Sequence, residues 1–134
     1  MAKLTEVEGI GSVHAKKLQE AGIDTTDQLL EQGASPQGRK AIAEKTDISA
    51  KLILEWVNHV DLFRIKGVGQ EYSDLLEAAG VDTVVELAQR NPANLHDKIS
   101  AVNAEKKLVR QLPSLAQVEA WVSQAKELPR VITY

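Results

Sequence analysis

The sequence of 134 residues contains no cysteine and few aromatic residues. The absence of cysteine excludes disulfide bonds, thiol nucleophiles and metal sites with thiolate ligands. Because aromatic residues make up only 4% of the chain, its core must consist mainly of Leu, Ile, Val and Ala, a composition that suits packed helices. No segment approaches the ~18 consecutive apolar residues of a membrane span, and the N-terminus lacks the apolar stretch of a signal peptide. We therefore expect a cytoplasmic protein that does not contact membranes.

An excess of basic residues is also missing. The chain has 16 Lys and Arg against 19 Asp and Glu, and its formal net charge is −3. Residues 1–63 carry 7 basic and 10 acidic residues, whereas residues 64–134 carry 9 of each. Because non-specific affinity for duplex DNA comes mainly from Lys and Arg contacts with phosphates, any DNA binding is expected to be weak and lost at moderate salt.

Cations that share one face could still strengthen such binding locally. Two groups are candidates: Lys16, Lys17, Arg39, Lys40 and Lys45 in the first half, and Lys106, Lys107 and Arg110 in the second. The alternative interpretation of each group is an ordinary solvated helix face.

The most informative feature that is present is an internal repeat. The segment 7–11 (VEGIG) recurs 58 positions later as 65–69 (IKGVG), and the register holds without a gap as far as Leu29 and Leu87. After a gap, the segment that ends at Trp56-Val57 reappears as the one that ends at Trp121-Val122. The second copy then has 7 extra residues, which fall near positions 103–112. We interpret the chain as repeat 1 (4–61), repeat 2 (62–127) and a C-terminal tail (128–134).

Residues that start and stop helices recur along both copies, and no segment alternates as a strand would. Val13, Leu18 and Ala21 recur near helical spacing, with Ser12 as the expected start of their helix and Gly22 as its end. Further starts are predicted at Thr25 with Gln28, Ser35-Pro36, Ser49, Thr83 with Glu86, Asn91-Pro92, and Ser114 with Gln117. These patterns predict an all-α fold.

The glycines of the repeat carry a resemblance to a known motif. Each copy contains a Gly-apolar-Gly triplet, Gly9-Ile10-Gly11 or Gly67-Val68-Gly69. An apolar residue lies two positions before each triplet, and a small residue, Ala15 or Ser73, lies four positions after it, ahead of a leucine. This pattern resembles the helix-hairpin-helix motif. With its continuation through residues 22–25, the chain is similar to a bacterial family of tandem helix-hairpin-helix proteins that carries only a domain-of-unknown-function label. It is also similar to the helical C-terminal domain of the RNA polymerase alpha subunit.

The resemblance to the tandem family covers nearly the whole chain, and it implies tandem helix-hairpin-helix repeats packed as one compact helical domain. In the wider superfamily the hairpin binds DNA without sequence preference. Two glycines let the backbone turn tightly and expose its amides, which form an anion site together with the start of the next helix. Carried over to this sequence, the resemblance implies contacts with DNA backbone phosphates from Gly9, Gly11, Ser12, Val13, Lys16 and Lys17 in hairpin 1, and from Lys66, Gly67 and Gly69 in hairpin 2.

The second hairpin departs from the DNA-binding pattern. Gln70-Glu71 and Asp74 occupy the positions that Ser12-Val13 and Lys16 have in the first copy, and the carboxylates there would repel a phosphate. Hairpin 1 is therefore the expected site. For both hairpins an alternative stays open, in which the glycines serve only the close packing of the turn.

Two classes of function remain at this point. One is weak, non-sequence-specific DNA binding through hairpin 1, and the other is a protein-interaction or scaffold module without nucleic acid. No nucleophile or dinucleotide motif is recognisable, and the three histidines lack the spacing of metal ligands, so we expect no enzyme activity, cofactor, metal or small-molecule substrate. Trp56 and Trp121 occupy equivalent positions, where they are expected to anchor the core, or alternatively to bind a partner.

Overall fold

A computed structural model describes residues 3–7 and 9–134. Within these residues lie one short 3-10 turn, Leu4–Glu6, and eight α-helices, and the only strand-like pairing among them is a single antiparallel bridge between Lys3 and Thr25. The all-α prediction is therefore confirmed. The helices are α1 (Ser12–Glu20), α2 (Thr26–Gln32), α3 (Pro36–Thr46), α4 (Ala50–Leu62), α5 (Gln70–Ala78), α6 (Val84–Ala88), α7 (Pro92–Lys106) and α8 (Leu115–Glu127). None of these helices combines the length and the hydropathy needed to cross a membrane.

The chain divides into two compact units. Unit 1 comprises the described residues up to Asp61 together with Val131–Tyr134, and unit 2 comprises Leu62–Arg130. The tail is therefore divided, because its first three residues belong with unit 2 and its last four with unit 1.

The helices begin at the capping residues that the sequence identifies. The Thr25 hydroxyl accepts a hydrogen bond from the Gln28 amide, and the Gln28 side chain accepts one in return from the Thr25 amide, both at 3.2 Å. Ser114 and Gln117 form the same reciprocal pair at the start of α8. Such side chains satisfy amide donors that have no partner within the first helical turn. Single caps open four further helices, at Ser35, Ser49, Thr83 and Asn91.

Helix α1 begins at Ser12, as predicted, although Ser12 does not cap it. Gly11, not Ser12, is the N-cap, because its carbonyl accepts the first helical hydrogen bond from the Ala15 amide at 2.9 Å. The end of α1 is as predicted: Gly22 adopts a left-handed conformation with φ +89° just beyond the helix.

Apolar faces of the helices form the core of each unit, as burial of apolar surface requires. In unit 1, α1 packs against the 3-10 turn and α3, and α2 packs against α3. In unit 2, α8 packs against α6 and α7, and α5 packs against α7. The buried apolar residues of unit 1 include Leu4, Val7, Ile10, Leu18, Ile23, Leu29, Ile42, Ile53, Trp56 and Val57. The core of unit 2 includes Ile65, Leu75, Leu76, Val81, Leu87, Leu95, Ile99, Val118, Trp121 and Val122.

The second copy is longer in two places and shorter in one. Helix α6 has 5 residues where α2 has 7, and α7 has 15 where α3 has 11. The connection that follows is also longer, at eight residues (107–114) after α7 against three (47–49) after α3. The extra residues therefore lengthen one helix and leave an irregular segment in front of α8.

Candidate functional site

The turn before α1 places its apolar residues inside and its glycines at the surface. In this turn (turn 1, the described residues of 7–11) Val7 and Ile10 are buried, and the Ile10 amide donates to the Val7 carbonyl at 3.0 Å. Gly9 has φ +90° and Gly11 is extended, with φ −88° and ψ −173°. The two buried residues hold the turn against the core, so the exposed glycine backbone faces solvent.

Packing in unit 1 requires glycine at position 9. A φ near +90° is strained for any residue with a Cβ. A Cβ at this position would also lie 3.1 Å from Nε1 of Trp56, which is fully buried beneath the turn. The Trp56 indole in turn has the half-buried His14 ring against it, with ring centroids 5.1 Å apart and a tilt of 59°. Among the described residues neither Trp56 Nε1 nor His14 Nδ1 has a hydrogen-bond partner, so this contact is one of packing.

Gly11 has no comparable packing reason to be glycine. Its φ is negative, and a Cβ placed on it would have no atom within 4 Å. Other residues fit this backbone, and at an N-cap Ser, Thr, Asp and Asn are generally preferred because their side chains satisfy helix amides. Glycine at this position leaves those amides open.

The N-terminus of α1 consequently exposes backbone amides that no side chain caps. No side chain among the described residues caps it, and Ser12 and Val13 are exposed, Val13 to 67%. The amides of the first turn and the helix dipole both favour an anion there. Lys16 is exposed and Lys17 half-buried about one turn further along, roughly 6 Å up the helix axis. The arrangement can hold a phosphate or carboxylate group.

The turn before α5 (turn 2, residues 65–69) has the same backbone geometry. Gly67 has φ +93°, the Val68 amide donates to the Ile65 carbonyl at 3.0 Å, and Gly69 is an extended N-cap without a side-chain cap. A Cβ on Gly67 would lie 3.4 Å from Nε1 of Trp121, whereas a Cβ on Gly69 would meet nothing within 4 Å. In both units the first glycine of the pair therefore packs against a tryptophan, and the second has open space beside it.

The side chains around turn 2 differ from those around turn 1. The first turn of α5 contains the acidic Glu71 and no basic residue. The backbone of Lys66 is bonded to the side chain of Gln124, whose Oε1 accepts from the Lys66 amide at 3.0 Å. Beside the glycines, an open cleft of about 460 Å³ is lined by Gly67, Gly69, Gln70, Glu71, Tyr72, Arg110 and Gln111. Turn 2 therefore contains the exposed Lys66, and the cation that lines the cleft beside it, Arg110, comes from the irregular segment after α7.

Comparison with known families places most of the chain in one group. The family model described as "Domain of unknown function (DUF4332)" matches residues 8–128. The chain belongs to the DUF4332 family. No solved structure matches it significantly.

The prediction that Arg39 is a surface cation was wrong. Arg39, grouped above with surface cations, is 5% exposed, and its guanidinium donates to the carbonyls of Gly33, Ala34 and Thr133 at 2.8–3.2 Å. Burial lowers the pKa of Arg39 from its ordinary value, and an electrostatic contribution from Tyr134 opposes that shift. A helical pattern identifies an arginine on one face but does not show that a distant segment covers it.

The segment that covers Arg39 is the end of the tail. The Thr133 amide donates to the Ala34 carbonyl at 2.8 Å, and the Tyr134 ring lies over the guanidinium, 6.0 Å from Cζ to the ring centroid. Sequence reasoning left the docking of the tail open.

Two equivalent ring contacts with the tryptophans were not predicted, although the repeat relates the residues that make them. His14 and Tyr72 are equivalent in the repeat, and Tyr72 contacts the Trp121 ring as His14 contacts that of Trp56, with centroids 5.3 Å apart. Both tryptophans are almost fully buried, which supports the expected core role. Across the residues that the structure describes, no three His, Asp or Glu side chains are placed to hold a metal ion.

Proposed function

We propose that this chain is a tandem helix-hairpin-helix protein that binds the DNA backbone weakly and without sequence preference through turn 1. The observation that carries the proposal is the open environment of Gly11, where neither φ nor packing calls for glycine. A residue without a side chain at that place leaves room for a phosphate to approach the amides of Ser12 and Val13.

The packing-only interpretation explains one glycine of the turn and not the other. It accounts for Gly9, which has a positive φ and lies against Trp56. It does not require glycine at position 11, where a Ser or Asp cap would stabilise α1 by roughly a few tenths of a kcal/mol more than glycine does. A ligand that needs the free amides would favour glycine over those residues.

Electrostatics favour turn 1 over turn 2 as the site. Lys16 and Lys17 follow the open amides of α1, whereas Glu71 lies in the first turn of α5. Since backbone contacts carry no base information, the proposed binding is non-specific. Since few cations are involved, the binding is also weak, and added salt weakens it further.

The wider proposal is a protein that acts by binding alone, without reaction, cofactor, metal or small-molecule substrate. The sequence supports this because it has no recognisable nucleophile, dinucleotide or metal-ligand pattern. Its resemblance to bacterial tandem helix-hairpin-helix proteins supports a bacterial origin, and the absence of cysteine fits a cytoplasmic location.

Fluorescence anisotropy of a labelled duplex, measured at low and at physiological salt, tests the proposal. We expect salt-dependent binding that the double variant Lys16→Glu/Lys17→Glu abolishes. The matched control is Lys98→Glu/Lys126→Glu, which makes the same change of charge at two exposed positions of α7 and α8, outside the cation groups named above. Absence of binding at low salt, or an equal loss in both double variants, would contradict a site at turn 1.

A second variant separates binding from folding. In Gly11→Asp the new carboxylate caps α1, so the free energy of unfolding should rise by a few tenths to about 1 kcal/mol. The same carboxylate fills the position that a phosphate would take and repels the phosphate charge, so DNA binding should be lost. Gly69→Asp is the control, for which we expect a similar gain in stability and unchanged binding. Retained binding in Gly11→Asp would rule out the amides as the anion site.

The alternative is a protein-interaction or scaffold module that binds no nucleic acid. The excess of acidic over basic residues, 19 against 16, supports it. Failure of the duplex to bind at low salt would favour this alternative.

A further inference from the structure

Exposed leucines are concentrated in one short part of unit 2. Five large apolar side chains are exposed among the described residues, and three of them lie within eight positions: Leu108 (37%), Leu112 (40%) and Leu115 (41%). A single exposed leucine needs no explanation, but a concentration of them marks an interaction surface. We call residues 106–115 the leucine segment.

The leucine segment is also basic. Lys106, Lys107 and Arg110 are exposed within it, and no Asp or Glu occurs between Glu105 and Glu119. The chain as a whole has a net charge of −3, so this positive stretch is a local departure from its average. The additional residues of the second copy thus place exposed apolar and exposed positively charged side chains within one short segment.

Side chains of the neighbouring helices fix the backbone of this segment in place. Asn103 bonds Val109 twice, since its Oδ1 accepts from the Val109 amide at 3.0 Å and its Nδ2 donates to the Val109 carbonyl at 3.2 Å. The Tyr72 hydroxyl donates to the Gln111 carbonyl at 3.1 Å, and His96 Nε2 lies 3.1 Å from the carbonyl oxygen of Pro113, which can only accept.

The buried side chains of the segment add to this fixation. Val109 and Pro113 are buried, while Leu108, Arg110 and Leu112 between and beside them are exposed. The exposed side chains are therefore held on an ordered backbone. Ordering before binding reduces the entropy lost when a partner associates.

We propose that the leucine segment is a docking surface for an acidic, amphipathic segment of a partner protein. Apolar side chains of the partner would cover Leu108, Leu112 and Leu115, and its carboxylates would pair with the flanking cations. Charge complementarity of this kind determines partner choice and speeds association. DNA fits the surface less well, because phosphates pair with cations but give exposed leucines nothing to pack against.

Seven residue steps from Leu108 to Leu115 span at most ~25 Å. A partner helix of no more than roughly 16 residues is therefore long enough to reach all three leucines. The proposal does not depend on DNA binding at turn 1, which lies in the other unit and is tested by other variants.

The test uses the full chain, labelled with ¹⁵N, and a synthetic peptide probe of roughly 16 residues. The probe carries leucines at helical spacing on one face and glutamates elsewhere. Two matched peptides are compared with it, one with every Glu changed to Lys and one with every Leu changed to Ser. We expect the amide resonances of the leucine segment to shift with the acidic leucine peptide and not with either comparison peptide.

Variants of the chain locate the two contributions. Leu108→Ser/Leu112→Ser and Lys106→Glu/Arg110→Glu should each weaken probe binding about tenfold or more, a loss of roughly 1.4 kcal/mol. The control for charge is Lys98→Glu/Lys126→Glu, at exposed positions of α7 and α8, which should leave probe affinity within about twofold. Circular dichroism of each variant checks that the helices are intact.

Three outcomes would overturn the proposal. The first is a probe dissociation constant weaker than about 1 mM. The second is equal binding of the probe and the serine peptide, which would mean a site for polyanions in general. The third is loss of the shifts on addition of duplex DNA, with binding to the duplex abolished by the charge variant, which would assign the surface to nucleic acid.

Discussion

Turn 1 and turn 2 can be compared residue for residue, because their backbones follow the same course. Gly9 and Gly67 have φ +90° and +93°, and each lies over the indole of a buried tryptophan. The second glycines, Gly11 and Gly69, are both extended and open. The two units therefore share the backbone turn and the buried tryptophan beneath it, and this shared part stabilises the fold.

The two turns differ in the side chains above the backbone. Two lysines follow turn 1 on its own helix, whereas turn 2 is followed by Glu71 and has Arg110 beside it from a distant segment. The same backbone turn therefore occurs twice, with different charges around it. A shared glycine pattern consequently does not assign the same function to both turns.

Each unit also holds a segment that the repeat does not account for. In unit 1 this is Val131–Tyr134, bound to the guanidinium of Arg39. In unit 2 it is the irregular connection 107–114, bound by Asn103, Tyr72 and His96. Both segments are fixed by polar side chains that form hydrogen bonds with main-chain groups. Single substitutions can therefore measure how much each contact contributes to the free energy of unfolding.

The largest effect is expected when the support under each turn is removed. Trp56→Ala and Trp121→Ala should each lower the free energy of unfolding by about 3–5 kcal/mol, because each empties a large core position. Urea denaturation measures both. Trp56→Phe and Trp121→Phe serve as milder variants that retain an aromatic ring and fold more readily. A loss under about 1 kcal/mol in one unit alone would break the equivalence of the two turns.

The next effect concerns the added segments. Arg39→Met keeps much of the side-chain volume but leaves the carbonyls of Gly33 and Thr133 without this donor, at a cost of about 2–4 kcal/mol. Asn103→Ala removes two bonds to Val109 and should cost about 1–2 kcal/mol. Denaturation gives both values, and hydrogen exchange of the Thr133 amide should become fast only in Arg39→Met.

The control for the added segments is Lys40→Met, an exposed neighbour of Arg39. It should leave both stability and exchange unchanged. A protected Thr133 amide in Arg39→Met would show that the tail is held by other contacts.

Local chemistry made most of the helices predictable. Thr25, Ser35 and Ser114 cap helices where the sequence indicates, because a cap depends on residues only three positions apart. The start of α1 at Ser12 was predicted, but its N-cap Gly11 was not, since a glycine N-cap has no side chain to reveal it. Val13 fits a helical pattern but is exposed, because a period alone does not fix which face is buried.

Contacts between distant residues were the part that the sequence did not reveal. The Arg39 guanidinium meets Thr133, 94 positions away, and the Tyr72 hydroxyl meets Gln111, 39 positions away. Neither contact follows from periodicity or capping, so Arg39 was wrongly predicted to be a surface cation. The repeat itself shows that His14 and Tyr72 are equivalent. Only the structure shows that each ring lies against a tryptophan.

The smallest effect separates the two glycines within one turn. Gly9→Ala forces a Cβ into a left-handed conformation and to within 3.1 Å of Trp56 Nε1, and should cost about 1–3 kcal/mol. Gly11→Ala meets no atom within 4 Å at a negative φ. There the loss of a favourable N-cap is offset by reduced freedom of the unfolded chain, so its effect should stay within about 0.5 kcal/mol. Urea denaturation of Gly67→Ala and Gly69→Ala should reproduce the same split in unit 2. Equal costs at positions 9 and 11 would mean that folding demands both glycines, and the case for a ligand at the open amides would lose its main support.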